Sequence, residues 1–343
     1  MNTKTPVVSA KSAYESLAAA GFPKAYVTRL LPDWWDNALF KTSGGAIEFA
    51  SILRQRLGID VHFAKNGELE VSGMSTHARF KRRSTTAEGE LQVCATLGMA
   101  LAKLALYCSR IPYTPLPQDP AAVGALIRAS IDRNTVSFDA LLDFCWSRGL
   151  PVLFLKDLPR GSKRIAGMAL QVDARPAIVL GYQSSQDARQ LFVLAHELAH
   201  ICLGHVAATG ALIDEGLSAV TDALQGADAV PSDAEERQAD AFALTLLRNG
   251  KAARLGDGAR FASAAELAVS ALATGKSRGI DVGHLILSYA KDNDDWLMAN
   301  QALAYLPDNA DALTSVRERF IANADLERLT EENRSYLLSV QGF

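Results

Sequence analysis

Two histidines four residues apart enclose a glutamate in the run Leu194-Ala195-His196-Glu197-Leu198-Ala199-His200. On a helix that spacing leaves the imidazoles about 40° apart around the axis and one turn apart along it, so both can reach one cation. Glu197 follows the first histidine directly, where its carboxylate can take a proton from water made acidic by that cation. The chemistry on offer is metal-assisted hydrolysis. Two satisfied core histidines are the plain alternative. An apolar helical period directly after a hairpin signal argues for the metal site.

Zinc at such a site needs a third protein ligand and an open position. His205 is near in sequence, in Ile201-Cys202-Leu203-Gly204-His205, but a continuing helix would turn it about 140° from His200. It reads better as a residue at the helix end. Further on, Glu236 and Asp240 lie four apart on one helical face, similar to the Glu-x-x-x-Asp of gluzincins. In that resemblance the glutamate binds zinc and the aspartate supports a zinc-binding histidine. Asp233, Glu235 and Glu236 are also the acids a helix N-terminus favours, so Glu235 or Asp233 could take the ligand's place. Asp214 and Glu215 are weaker contenders.

Taken together, Gly167-Met-Ala, Pro176-Ala-Ile-Val-Leu180, Arg189 through His200, Leu203-Gly-His205, Glu236 and Ala239-Asp-Ala-Phe-Ala243 resemble the ImmA/IrrE family of metallopeptidases over roughly residues 135–250. The resemblance implies a zinc endopeptidase fold with one Zn2+ per chain, a small sheet packed on the active-site helix, and His196, His200 and Glu236 as ligands. Glu197 would be the general base and Asp240 the support behind a ligand. It also implies a protein substrate: a helix-turn-helix repressor or antitoxin-like protein of a stress, mobile-element or toxin–antitoxin-like system. A module that holds zinc and acts on its partner without proteolysis is the alternative; a retained Glu197 speaks against it, because holding zinc does not need that carboxylate. Tyr182, His205 and His284 are the candidates for stabilising an oxyanion. An extended substrate could add to an exposed edge of the Ala166–Leu180 hairpin. The 35 residues between His200 and Glu236 leave the register of the third ligand open, and the flanks lie outside the resemblance.

The elements that must position these groups follow from period and punctuation. Ser9–Leu31 reads as short helices broken at Gly21–Pro23. Gly45–Leu57 reads as an amphipathic helix with Ile47, Phe49, Ala50, Leu53 and Leu57 near one face. Val61–Ala64 and Leu69–Ser72 flank an Asn-Gly hairpin signal. Glu88–Tyr107, Pro120–Ile131, Ser137–Arg148, Ser185–His205, Ala211–Leu224 and Ser232–Asn249 read as helices, as do Asp281–Tyr289 and Asp294–Tyr305. Pro151–Leu155 is a short strand, and Ala166–Val172 with Ala177–Leu180 form an antiparallel hairpin. The fold class is α+β and mostly helical, with a small antiparallel sheet packed on the HExxH helix. The proline-rich Ile111–Pro120 divides a separate helical and hairpin N-terminal domain, 1–115, from a peptidase domain, 118–250, and a helical extension, 251–343.

Composition sets the outer bounds. The 343 residues are 49% hydrophobic, enough for a sizeable core, and 35 basic against 38 acidic side chains exclude a general nucleic-acid coat. Residues 1–115 carry +5 and the remainder −8, a split without clear meaning. No helix-turn-helix and no phosphate-binding glycine loop stands out, so direct nucleic-acid binding is not expected. Cys94, Cys108, Cys145 and Cys202 sit singly in apolar runs and read as reduced core residues. Leu91–Cys108 is the one membrane-span candidate, but Lys103 and Gln92 within it favour a buried helix. With no secretory signal in the first residues, a soluble cytoplasmic protein is expected. Arg79–Arg83 reads as a solvated basic turn, Trp34-Trp35 as small-domain core, and His62 and His77 as ordinary residues.

Overall fold

The computed structural model describes residues 9–64, 68–72, 78–81, 88–130, 134–181, 186–206, 210–214, 234–255, 260–306 and 311–343. The architecture is α+β. Helices α1 (Ala10–Ala19), α2 (Lys24–Leu30) and α3 (Ser43–Leu57) come first, the break falling at Gly21–Pro23 as expected. Thr42 caps α3 by accepting from the Gly45 N–H, and Gly58 ends it in the left-handed region at φ 71°. Its buried stripe is Phe49, Ile52, Leu53 and Leu57. Ile47 is 71% exposed, against expectation, because it lies about 160° around the axis from Phe49. Strands β1 (Asp60–Phe63) and β2 (Leu69–Ser72) pair antiparallel as the Asn-Gly signal implied, although the turn at 65–67 lies outside the described residues.

A second, mixed sheet carries the site. Its strands are β3 (Ala78–Lys81), β4 (Val152–Leu155), β5 (Gly167–Val172), β6 (Arg175–Gly181) and β7 (Gly210–Asp214), in the order β3-β7-β5-β6-β4. The β5–β6 hairpin is antiparallel, as its sequence implied; β7 also runs antiparallel to β5, while β3 pairs parallel to β7 and β4 parallel to β6. The hairpin turns through Asp173 and Ala174, both at positive φ (49° and 61°), as a two-residue primed turn requires. Pro176 therefore falls inside β6, two residues before β4 begins to pair at Ile178, where its missing N–H takes no bond from the ladder.

Three expectations change here. The Ala166–Leu180 hairpin has no exposed edge, because β7 and β4 take both of its outer sides. Ala211–Leu224 does not start as a helix: its first residues belong to β7, and 215–224 lie outside the described residues. Ala78–Lys81 of the basic run form a strand rather than a turn, with Arg82 and Arg83 outside the described residues. In each case a short segment gains its backbone hydrogen bonds from a distant strand, a partner that local pattern does not reveal.

The sheet is covered on both faces, with β4 and β6 alternating between them. Val152, Phe154, Ile178 and Leu180 share a core with α7 (Asp187–Cys202), α5 (Pro120–Ser130) and α6 (Phe138–Ser147). Leu153, Leu155, Met168, Leu170, Ala177 and Val179 face the other way, into a core with α4 (Glu88–Cys108). Strands buried on both faces read as unbroken apolar runs, as these do. Of the window Leu91–Cys108 in α4, 78% is buried, so this long apolar helix is a core helix, with Lys103 at its exposed side. The four cysteines are free and buried. Trp35 packs on Phe40 and Phe49, while Trp34 is exposed.

The remaining helices are α8 (Ala234–Arg248), α9 (Ala264–Arg278), α10 (Val282–Asn293), α11 (Trp296–Leu303), α12 (Ala312–Asn323) and α13 (Glu331–Gln341). α9 to α11 build a third cluster around Leu267, Leu285 and Leu303. Phe320, Tyr336 and Leu337, from the last two helices, join the core that α1, α3 and α4 form. The N-terminal stretch is thus not isolated: α4 and β3 cover and extend the sheet on which the site is built.

Candidate metal centre

Helix α7 is buried on nearly all sides from Gln190 to His200, with His196, Glu197 and His200 at 2%, 0% and 0% exposure. Polar groups survive there only when paired. The pairing of the two histidines comes from α8, whose small Ala239 and Ala243 lie on the buried face beside Phe242 and let the two helices approach. One turn apart on that face, Glu236 and Asp240 both reach α7.

The geometry is convergent. His196 Nε2 lies 3.0 Å from His200 Nε2 and 3.2 Å from Glu236 Oε2, and His200 Nε2 lies 3.5 Å from Glu236 Oε1. A tetrahedron with metal–ligand bonds of about 2.0–2.1 Å has edges of about 3.3 Å. These three residues therefore could hold a metal ion, and they form a group of that kind among the described residues. Their charge states agree with this. Burial lowers the His200 pKa against the pull of Glu236, which keeps the imidazole neutral. Burial would raise the Glu236 pKa, but the hydrogen bonds with His196 and His200 prevail and hold it well below the usual carboxylate range. An ionised carboxylate beside a neutral His200 ring suits a cation.

Each histidine is oriented from behind. Asp240 Oδ1 sits 2.9 Å from His196 Nδ1. His205 Nδ1 sits 2.9 Å from His200 Nδ1, and His205 Nε2 is 3.1 Å from Gln238 Oε1. His205 gets there because α7 stops. Gly204 adopts φ 72°, and the N–H groups of Gly204 and His205 donate to the carbonyls of Ile201 and His200, the six-to-one closure of a Schellman motif. The chain folds back, and the residue after the glycine lands on the helix's last turn.

Glu197 is placed by a missing side chain. A Cβ on Gly167 of β5 would meet Glu197 Oε1 at 2.7 Å, its Cγ at 2.8 Å and Val193 Cγ1 at 2.9 Å. Only glycine lets the strand backbone pass so close to this carboxylate. Sequence reasoning does not single out Gly167 for this contact, nor Gln238; a glycine inside a strand pattern is the one signal present.

The oxyanion candidates separate. Both ring nitrogens of His205 are engaged, one behind His200, so it does not face the ligand group. His284 accepts from Arg248 Nε at 3.1 Å; Arg248 stands twelve residues along α8 from Glu236, about 18 Å away. Tyr182 lies outside the described residues, as do Glu215 and Asp233. Asp214 ends β7, and Glu235 is not among the convergent groups.

A helix bearing His-Glu-x-x-His beneath a strand, with the third acid on a second helix, is thus a group that could hold a metal ion in a gluzincin-like arrangement. Residues 147–255 match the model of the IrrE N-terminal-like domain of the M78 peptidases, which supports the resemblance to the ImmA/IrrE family over that segment. No curated protein and no solved structure matches the chain.

Proposed function

We propose that this chain is a zinc-dependent endopeptidase that hydrolyses a peptide bond in a protein partner, a helix-turn-helix transcriptional repressor, in the cytoplasm. The observation that carries the hydrolase reading is the near-tetrahedral spacing of His196, His200 and Glu236 beside the fully buried Glu197. Two imidazoles and one carboxylate in that geometry favour zinc over harder cations, which prefer all-oxygen octahedra. The repressor as substrate rests on the family resemblance.

Zinc bound at these residues supplies Lewis acidity toward water and the scissile carbonyl. Asp240 accepts the Nδ1 proton of His196 and so leaves Nε2 as the lone pair facing the ligand group. Glu236 brings a negative charge to the same point. Glu197, enclosed between α7 and the β5 backbone, accepts a proton from the attacking water and returns it to the leaving amine. Burial keeps the carboxylate away from bulk solvent.

The test is cleavage of repressors encoded beside this gene, followed by mass spectrometry with the zinc-loaded protein and its Glu197→Gln variant. The variant should keep about one zinc per chain and lose about 10²- to 10⁴-fold in cleavage rate. Undiminished cleavage by Glu197→Gln would overturn the mechanism, and a biological effect that survives the substitution would favour sequestration.

A further inference from the structure

We propose that His205 and Gln238 are positioning residues that fix the proton of His200 on Nδ1 and so present its Nε2 lone pair to the metal. The inference rests on the metal-site reading above and adds the source of orientation for the second histidine, which among the described residues has His205 rather than a carboxylate behind it.

Proton placement decides the matter. A neutral imidazole has one donor and one acceptor nitrogen. If His200 Nε2 is to bind a cation, the proton must sit on Nδ1, and that proton has His205 Nδ1 before it at 2.9 Å. Two facing nitrogens need one proton between them, so His205 Nδ1 must be bare and its own proton must be on Nε2. That N–H meets the Gln238 carbonyl oxygen at 3.1 Å, a pure acceptor. The chain Gln238–His205–His200 therefore closes with each bond having one donor and one acceptor. The opposite assignment would put a proton on His200 Nε2 and block the metal.

The local fold supports a built contact rather than an accident. His205 is brought to His200 by the Schellman closure at Gly204, and Gln238 comes from α8 between the two acids, Glu236 and Asp240, that serve the same site. α8 thus supplies a ligand to the centre, the support for His196, and the anchor of the support for His200. The two supports differ in kind: His196 has a carboxylate behind it and His200 a second imidazole.

The test is zinc affinity by competition with a chromophoric chelator, together with nitrogen-15 NMR of the histidine rings in the metal-free protein. His205→Leu should weaken zinc binding about 10- to 100-fold. His205→Asn, whose Oδ1 can stand where Nδ1 was, should recover most of the loss. Gln238→Glu, an acceptor at both oxygens, should hold affinity, whereas Gln238→Met should weaken it. The NMR should show His200 protonated at Nδ1 in the wild type and a mixture of tautomers in His205→Leu. Wild-type zinc affinity and an unchanged His200 tautomer in a folded His205→Leu protein would overturn the inference alone. A wild-type protein that binds no zinc would overturn the metal reading as well.

Discussion

Helix α8 has a buried histidine beside each end, and the two are used in opposite ways. Near its N-terminus Glu236 and Asp240 meet His196, one acid on each ring nitrogen. At its C-terminus Arg248 meets His284 and donates to it, with a second guanidinium nitrogen on Ser288 Oγ at 3.2 Å. Burial and then the Arg248 charge push the His284 pKa down to about 3, so this ring is a neutral acceptor, its Nε2 lone pair spent on Arg248. At the metal centre Nε2 instead converges with two other ligand atoms. The difference teaches that a buried histidine is poised for a metal when an acceptor stands behind its ring and no donor occupies the far nitrogen. An acid or a bare nitrogen behind the ring takes its proton and frees the far lone pair, whereas a cation in front consumes that lone pair.

Removing the acid at one end of α8 and the cation at the other should separate the two histidines most clearly. Zinc at about 100 times its dissociation constant should stabilise the wild type by about 2.7 kcal/mol, read as a rise in Tm. Glu236→Ala should lose that rise, and Arg248→Ala should keep it at a lower Tm. A zinc-dependent rise that survives in Glu236→Ala would remove this carboxylate from the site.

Two glycines extend the same contrast. Gly167 leaves room for the Glu197 carboxylate, and Gly283, beside His284, leaves room for the Cβ of Ala188 where α10 crosses α7. Alanine at either position should cost about 1–3 kcal/mol of stability by overpacking. Only Gly167→Ala should also depress peptide hydrolysis at temperatures where both variants are folded. Equal activity in the two would show that the close approach of β5 to Glu197 does not matter for catalysis.

The most gradual effect, spread over several pH units, is in acid. The His284 pKa of the folded protein lies far below the value of about 6.5 expected when unfolded. Its contribution to stability is therefore present above pH 6.5 and drains away as pH falls toward 3, at about 1.4 kcal/mol per pH unit. His284→Gln should flatten that slope relative to wild type when both are melted in the presence of chelator. Parallel curves would mean that His284 is protonated in the native state.

Much of the site is legible in the sequence. His196, Glu197 and His200 are set by spacing on one helix, and Glu236 with Asp240 by spacing on another, because the i, i+4 period fixes which groups share a face. The helical elements are legible for the same reason, and the β5–β6 hairpin from its turn. What local pattern misses is whatever depends on a distant partner. β7 reads as the start of a helix and β3 as a turn, since four- or five-residue strands become strands only through their neighbours in the sheet. The hairpin's expected free edge is absent for the same reason.

Sequence alone determined the kinds of donor atoms and their order along two helices, because rise and turn per residue are properties of the backbone. Tertiary structure decided that Glu236 rather than a neighbouring acid meets both histidines, that His205 folds back behind His200, and that Gly167 passes beside Glu197. Those outcomes depend on how α7, α8 and β5 pack against one another. Packing is fixed by the complementarity of surfaces far apart in the chain, which no local period records.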